Sequence, residues 1–300
     1  MHDDNEIHDQ GLAFDLQTIT EQQARRRRVL TGLASLSLLT LFGCSDNDAS
    51  ADSSSGGTTG SGGSGTGTGG TSTASGGASA SGGKTSSGGS SSNGTCSEIP
   101  EETNGPYPGD GSNGVNTLTS SGIVRSDIRS SFGSYSGTAE GIELTVTLTL
   151  VDAQCNPLAG YAIYIWHCDR SGEYSLYTVA NQNYLRGVQE TDENGNVTFT
   201  TIFPAAYSGR WPHIHFEIFE SLAKATAGSN SLKISQLAMP KAQCDEVYAT
   251  TGYEASVNNL AQTSLTTDMV FSDGSTLQLA SVTGSVSAGY TALLDVAINA

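Results

Sequence analysis

Residues 53–95 contain only Gly, Ser, Thr and Ala, apart from Lys84 and Asn93. Such a segment cannot bury enough apolar surface to offset the entropy of ordering it. Whatever folds must therefore lie on one side of it. A Gly/Ser coil of this length has a root-mean-square span of roughly 35–40 Å, which suits a tether. Residues 44–95 read as a linker, and residues 96–300 read as one domain, long enough to enclose a sizeable core.

Upstream, residues 1–43 read as an export signal. An acidic-polar start ends in RRRRVL, Arg25 to Leu30, and an uncharged apolar run from Val29 to Phe42 leads to LFGC, ending at Cys44. That run is too short to cross a bilayer comfortably, so a signal h-region is expected rather than a transmembrane helix. Arg26 and Arg27 before Arg28, Val29 and Leu30 resemble the twin-arginine pattern. LFGC resembles a bacterial lipobox, which implies a lipid anchor at Cys44 and an exported protein held at the cell surface or the periplasmic face of a bacterial membrane. An ordinary secretory signal with an incidental cysteine is the alternative.

The chain has 300 residues and a formal charge of −17. Without residues 1–43 there remain nine basic and 24 acidic residues, a net charge of −15. Nucleic acid is not expected as a partner, because neutralising phosphate takes clustered Lys and Arg. Four cysteines follow Cys44: Cys96, Cys155, Cys168 and Cys244. An even number in an exported domain suggests two disulfides. A Cys155–Cys168 bridge is disfavoured, since a strand over 161–167 would hold the two apart. Cys96–Cys155 with Cys168–Cys244 is the expected pairing; a free or ligating Cys168 is the alternative.

The domain reads as all-β. In ELTVTLTLVD, 143–152, Leu144, Val146, Leu148 and Leu150 share one face and threonines the other, the pattern of a half-exposed antiparallel strand. YAIYIWH, 161–167, is apolar on both faces and so more central. Asn194-Gly195 in DENGN signals a hairpin into the strand VTFTTIF. HIHFEIF, 213–219, and SLKISQLAM, 231–239, are further strands. Asp273-Gly274 signals a second hairpin, and YTALLDVAI closes the chain. Short strands at regular turn signals, with almost no helical periodicity, predict an antiparallel β-sandwich.

In a strand, positions i and i+2 share a face. His213 and His215 therefore point together, and two neutral imidazoles converging on one point suit a metal ion. Polar decoration of a surface strand gives the same two residues. Their context narrows the choice. Trp166, Gly172 and Tyr174 stand upstream, then Thr191, Asp192, Gly195 and Phe199, then Thr201, Ile202, Pro204 and Tyr207. Arg210 precedes His213 by three residues, and Gln236 follows in ISQLAMP. With the opening segment PEETNGPYP, 100–108, these motifs resemble the intradiol ring-cleavage dioxygenases, the catechol and protocatechuate 3,4-dioxygenase family, over residues 98–240.

The resemblance implies the sandwich core of that family and a non-haem Fe(III) cofactor, with a catechol and dioxygen as partners. It implies Tyr174 and His215 as equatorial ligands, and Tyr207 and His213 as axial ones. It also implies that an arriving catechol displaces Tyr207, and that Arg210 and Gln236 stabilise charge developing on the ring, which opens to a muconate-type diacid. The residue types agree: hard Fe(III) favours anionic oxygen donors, and a bound cation ionises a phenol whose ordinary pKa is near ~10. The sequence departs from the family at Leu237, Ala238 and Met239, where an aromatic pair is usual, and in the insertion LAKATAGSNS before Gln236. A surface module that binds polyphenol or polysaccharide without turnover is the alternative. A copper or zinc site fits the phenols poorly. His167 is expected to pack or face solvent, and Glu217 to be solvated. Arg125 and Arg129 in GIVRSDIRSSFG are available to a carboxylated ring, to Asp127 or to water.

Overall fold

A computed structural model describes residues 95–300. The expected export signal, lipobox at Cys44 and linker fall outside the described residues. Eight strands form two four-stranded sheets. β1 is Glu143–Val151, β2 Ala162–Trp166, β3 Arg186–Glu190, β4 Asn196–Ile202, β5 His213–Phe219, β6 Lys233–Ala238, β7 Ser281–Ser285 and β8 Gly289–Ala297. One sheet runs β4-β1-β8-β7 and the other β3-β2-β5-β6. Pairing is antiparallel except between β1 and β8, which run parallel.

The alternation in β1 does what the sequence suggests. Leu144, Val146, Leu148 and Leu150 are buried between the sheets, while Thr145, Thr147 and Thr149 are half-exposed. Facing them are Ile163 and Ile165 of β2 and Ile214, Phe216 and Ile218 of β5. Each such side chain contributes about 1.5–3 kcal/mol through burial. The β3-β2-β5-β6 sheet is also covered on its outer face. Tyr164, Trp166, Cys168, Tyr174, Val188 and Phe219 form a second apolar cluster there. This explains why residues 161–167 are apolar on both sides.

Three sequence expectations change. Asn194-Gly195 makes a tight turn, with Gly195 at φ +77° and Asp192 Oδ1 accepting from the Asn194 and Asn196 amides. The strands it joins, β3 and β4, belong to different sheets, so it is a crossover rather than a hairpin. Asp273-Gly274 closes one turn of 3-10 helix instead of a hairpin. The segment after it hydrogen-bonds to Ala238 at the end of β6, and the real hairpin lies between β7 and β8. Two short helices follow β6: α1, Lys241–Tyr248, and α2, Glu254–Ala261. α1 begins after Pro240 and buries Cys244, Val247 and Tyr248, one face of a helix.

Cys96 and Cys155 form a disulfide. Cys168 and Cys244 are both free and buried, which corrects the second expected bridge. They occupy different apolar clusters: Cys168 donates to the Ala205 carbonyl on the outer face, and Cys244 sits on α1 against the inter-sheet core. Replacing Cys96 by Ser reopens a crosslink spanning 59 residues. Chemical denaturation should show a loss of about 2–4 kcal/mol, with no further loss when reductant is added to the variant.

Candidate metal centre

β5 carries the pair. All seven of its residues are buried, because one face meets the core and the other meets the outer cluster. His213 and His215 are each 2% exposed. Their Nε2 atoms are 3.0 Å apart. His213 Nδ1 lies 2.5 Å from the Trp211 carbonyl. A carbonyl only accepts, so Nδ1 carries the proton and the Nε2 lone pair faces inward. The ring of His215 stacks on Trp166 at 4.8 Å, nearly parallel. Burial, and secondarily the charge of Arg210, hold the pKa of His213 well below the usual imidazole value. For His215, burial and then His213 do the same. Both rings are therefore neutral.

The phenols arrive from two loops. After β2 the chain turns on Asp169, whose Oδ1 accepts from the Ser171 and Glu173 amides, and delivers Tyr174. Gly172, at φ +86°, packs against Tyr207, and a side chain there would press on the Tyr207 Cβ. Tyr207 lies in the loop after β4. α2 fastens that loop, with Ser256 Oγ accepting from the Ala206 amide and Asn259 Nδ2 donating to its carbonyl. The Tyr207 hydroxyl is 3.2 Å from His213 Nε2. The rings of Tyr174 and Tyr207 lie 6.0 Å apart, and those of Tyr174 and His215 6.4 Å apart. Burial first, and Tyr207 second, push the Tyr174 phenol well above its ordinary pKa.

Four donor side chains thus meet at one place. Among the described residues, no three His, Cys, Asp or Glu side chains are grouped to hold a metal; the donors beside the two histidines are the two phenols. The donors fit a cation. The Tyr174 hydroxyl is buried without a well-formed hydrogen bond, and the His213 lone pair faces inward. Two imidazole nitrogens 3.0 Å apart match neighbouring ligands on one ion, given metal–nitrogen bonds of about 2.1 Å. An uncompensated cluster of lone pairs is costly to bury, and a cation removes that cost.

Arg210 follows Tyr207 through a turn in which its amide donates to the Tyr207 carbonyl. Its guanidinium is 1% exposed and doubly held: Nε donates to Asp268 Oδ2 at 3.0 Å, and Nη2 donates to Gln236 Oε1 at 2.7 Å. Gln236 pairs with His215 across β5 and β6, and its Nε2 donates to the Thr103 carbonyl. The structure therefore brings Tyr174, Tyr207, His213, His215, Arg210 and Gln236 together.

A family model described as Dioxygenase matches residues 129–227. A solved structure, an intradiol ring-cleavage dioxygenase from Tetranychus urticae, is 30% identical, with 68% of this chain and 95% of that chain covered and a TM-score of 0.52. This chain belongs to the intradiol ring-cleavage dioxygenases. The dioxygenase domain of a carbohydrate-binding fusion from Streptomyces sp. SirexAA-E is 22% identical, with 68% of this chain and 99% of that chain covered and a TM-score of 0.44. No curated protein matches the chain.

One residue of this intradiol dioxygenase, Asp268, was not foreseen, and others take places the sequence left open or placed differently. Asp268 is 0% exposed and is the counter-ion of Arg210; its only sequence signal is that a buried arginine needs one. Trp166 backs His215. Glu217 is fully buried rather than solvated, because the segment carrying Asp110 covers its face of β5. Burial and the Asp110 carboxylate raise its pKa well above the usual carboxylate range. His167 is buried, with Nδ1 at the Cys168 carbonyl and Nε2 at the Thr201 hydroxyl. Arg125 is held by the Arg186 and Ser130 carbonyls, and Arg129 by Asp127 and Glu143, so neither reaches the cluster.

Two measurements test this reading. Asp268→Ala removes the carboxylate that balances the buried Arg210 charge, and should cost about 3–5 kcal/mol in urea unfolding. Burial depresses the His167 pKa to about 4. The unfolded chain then binds the extra proton first as pH falls, so stability drops between roughly pH 6.5 and 4. His167→Gln should remove about 3 kcal/mol of that pH dependence, read as a shallower loss of the denaturation midpoint.

Proposed function

We propose that this chain is a non-haem Fe(III) intradiol dioxygenase that opens catechol-type rings with dioxygen to muconate-type diacids. We further propose that it works outside the cytoplasm, held by a lipid on Cys44. The observation that carries the proposal is the meeting of two phenols and two neutral imidazoles beside a fixed guanidinium. Membership of the family supports catechol ring cleavage in general.

Tyr174, Tyr207, His213 and His215 would hold the ion. Bound Fe(III) would supply a Lewis acid that chelates a catecholate and leaves its ring reactive toward dioxygen. The chain's own residues set the conditions. The Trp211 carbonyl fixes the His213 tautomer, so no proton has to leave Nε2. Tyr174 is 2% exposed and serves as the permanent phenol. Tyr207 is only half-buried, so it is the phenol able to swing aside and accept a catechol proton. Arg210 cannot retreat into solvent, because Asp268 and Gln236 hold it. Its charge already acts on Tyr174, His213 and His215. Preorganised positive charge of this kind stabilises an anion developing in a dry site.

The iron-loaded protein should be wine-red from phenolate-to-Fe(III) charge transfer, and Tyr207→Phe should shift or weaken that band. With a panel of catechols under air, oxygen uptake should match ring opening one to one. Catechol binding with no oxygen uptake would turn the reading to a surface binding module, and stoichiometric iron in a colourless protein would remove the two phenols from the ligand set.

A further inference from the structure

Residues 95–300 contain eight basic side chains against 21 acidic ones. Where each basic group goes bears on what the site can hold. Arg210 is committed to Asp268 and Gln236. Arg186, on β3, is likewise 1% exposed. Its donors end on the carbonyls of Tyr107, Pro108 and Ser175, the Ser175 hydroxyl and the Tyr164 hydroxyl. Arg125 is held by backbone carbonyls and stacks on Phe132. Arg129 and Arg170 line a separate polar depression of about 530 Å³ on the flank of β1 and β4, and each is paired there with an acid. Lys233 is bridged to Glu98 and Glu101, and Lys241 to Asp245. Lys224 is exposed beyond the far end of β5, four residues of strand and a turn away from His215.

The groups next to Tyr174 are of another kind. The Tyr107 ring lies 5.0 Å from Tyr174 and 5.1 Å from Tyr177. Both Tyr107 and Tyr177 are half-buried. Three phenol rings in a row lead outward from the candidate ligand. Aromatic faces of this kind stack well on flat neutral rings.

We infer that the site accepts uncharged catechols, including those with an apolar or aromatic substituent, and rejects catechols that carry a ring or side-chain carboxylate. This rests on the catechol reading of the site given above. The two phenolic oxygens of the substrate would have the ferric ion as counter-charge. A carboxylate elsewhere on the ring would have to give up its hydration with Arg210 fixed toward the donor cluster and the other described cations paired elsewhere or exposed. The acidic surface also lowers the local concentration of anionic substrates.

The test uses the iron-loaded full-length protein with catechol, 4-methylcatechol, protocatechuate and 3,4-dihydroxyphenylacetate. kcat/KM is measured by oxygen uptake, and affinity by calorimetry without oxygen. Both should be at least about 100-fold lower for the two carboxylated compounds. Equal or better use of the carboxylated compounds overturns the inference and leaves the ring-opening proposal standing. Neutral catechols that bind at least 100-fold better, yet consume no oxygen, support the inference and overturn the ring-opening proposal. Failure of all four to bind overturns both.

Discussion

One strand with two covered faces organises this molecule. β5 sends Ile214, Phe216 and Ile218 into the space between the sheets and His213, His215 and Glu217 to the other side. In most sandwiches the second face of a strand meets water. Here the loops after β2 and β4 and the segment over residues 103–110 lie on it. Polar side chains on that face consequently lose their hydration, and each must find a partner or change its proton count. The histidines become neutral, and burial raises the Glu217 pKa well above the usual carboxylate range. The candidate centre follows from covering that face.

The same constraint orders the supports around the site. Arg210 is buried as deeply as the core residues, and a charge at that depth persists only with close partners. Asp268 supplies the charge and also accepts from the Trp211 amide, so it pins two consecutive residues just ahead of β5. Gln236 ties the arginine to β6 and, through Thr103, to the covering segment. Elements far apart in sequence thus meet around one guanidinium.

Much of this was legible in the residues, for identifiable reasons. The period-two pattern of residues 143–152 needs only local information, and β1 follows it. The His-x-His pair fixes its own shared face by strand geometry, whatever the rest of the chain does. Tyr174 and Tyr207 could be placed only through motif spacing, since a phenol on a loop carries no periodic signal. Glu217 was misread because solvation depends on what covers a strand, and the covering segment lies more than a hundred residues upstream. α1 and α2 escaped notice because eight residues hold two turns, too few for a period to show. Asn194-Gly195 specified its turn correctly but could not specify which sheet each flanking strand joins.

The Cys96–Cys155 bridge has a mechanical consequence. Cys96 stands at the start of the described domain, and its partner lies just past the end of β1. Any tension applied to the chain ahead of Cys96 passes through a sulfur–sulfur bond directly into the end of a central strand. Residues 97–154 are enclosed by that covalent shortcut. The stretch holding Thr103, Tyr107 and Asp110 against the histidine strand lies within that loop and is thereby shielded from a load applied ahead of Cys96.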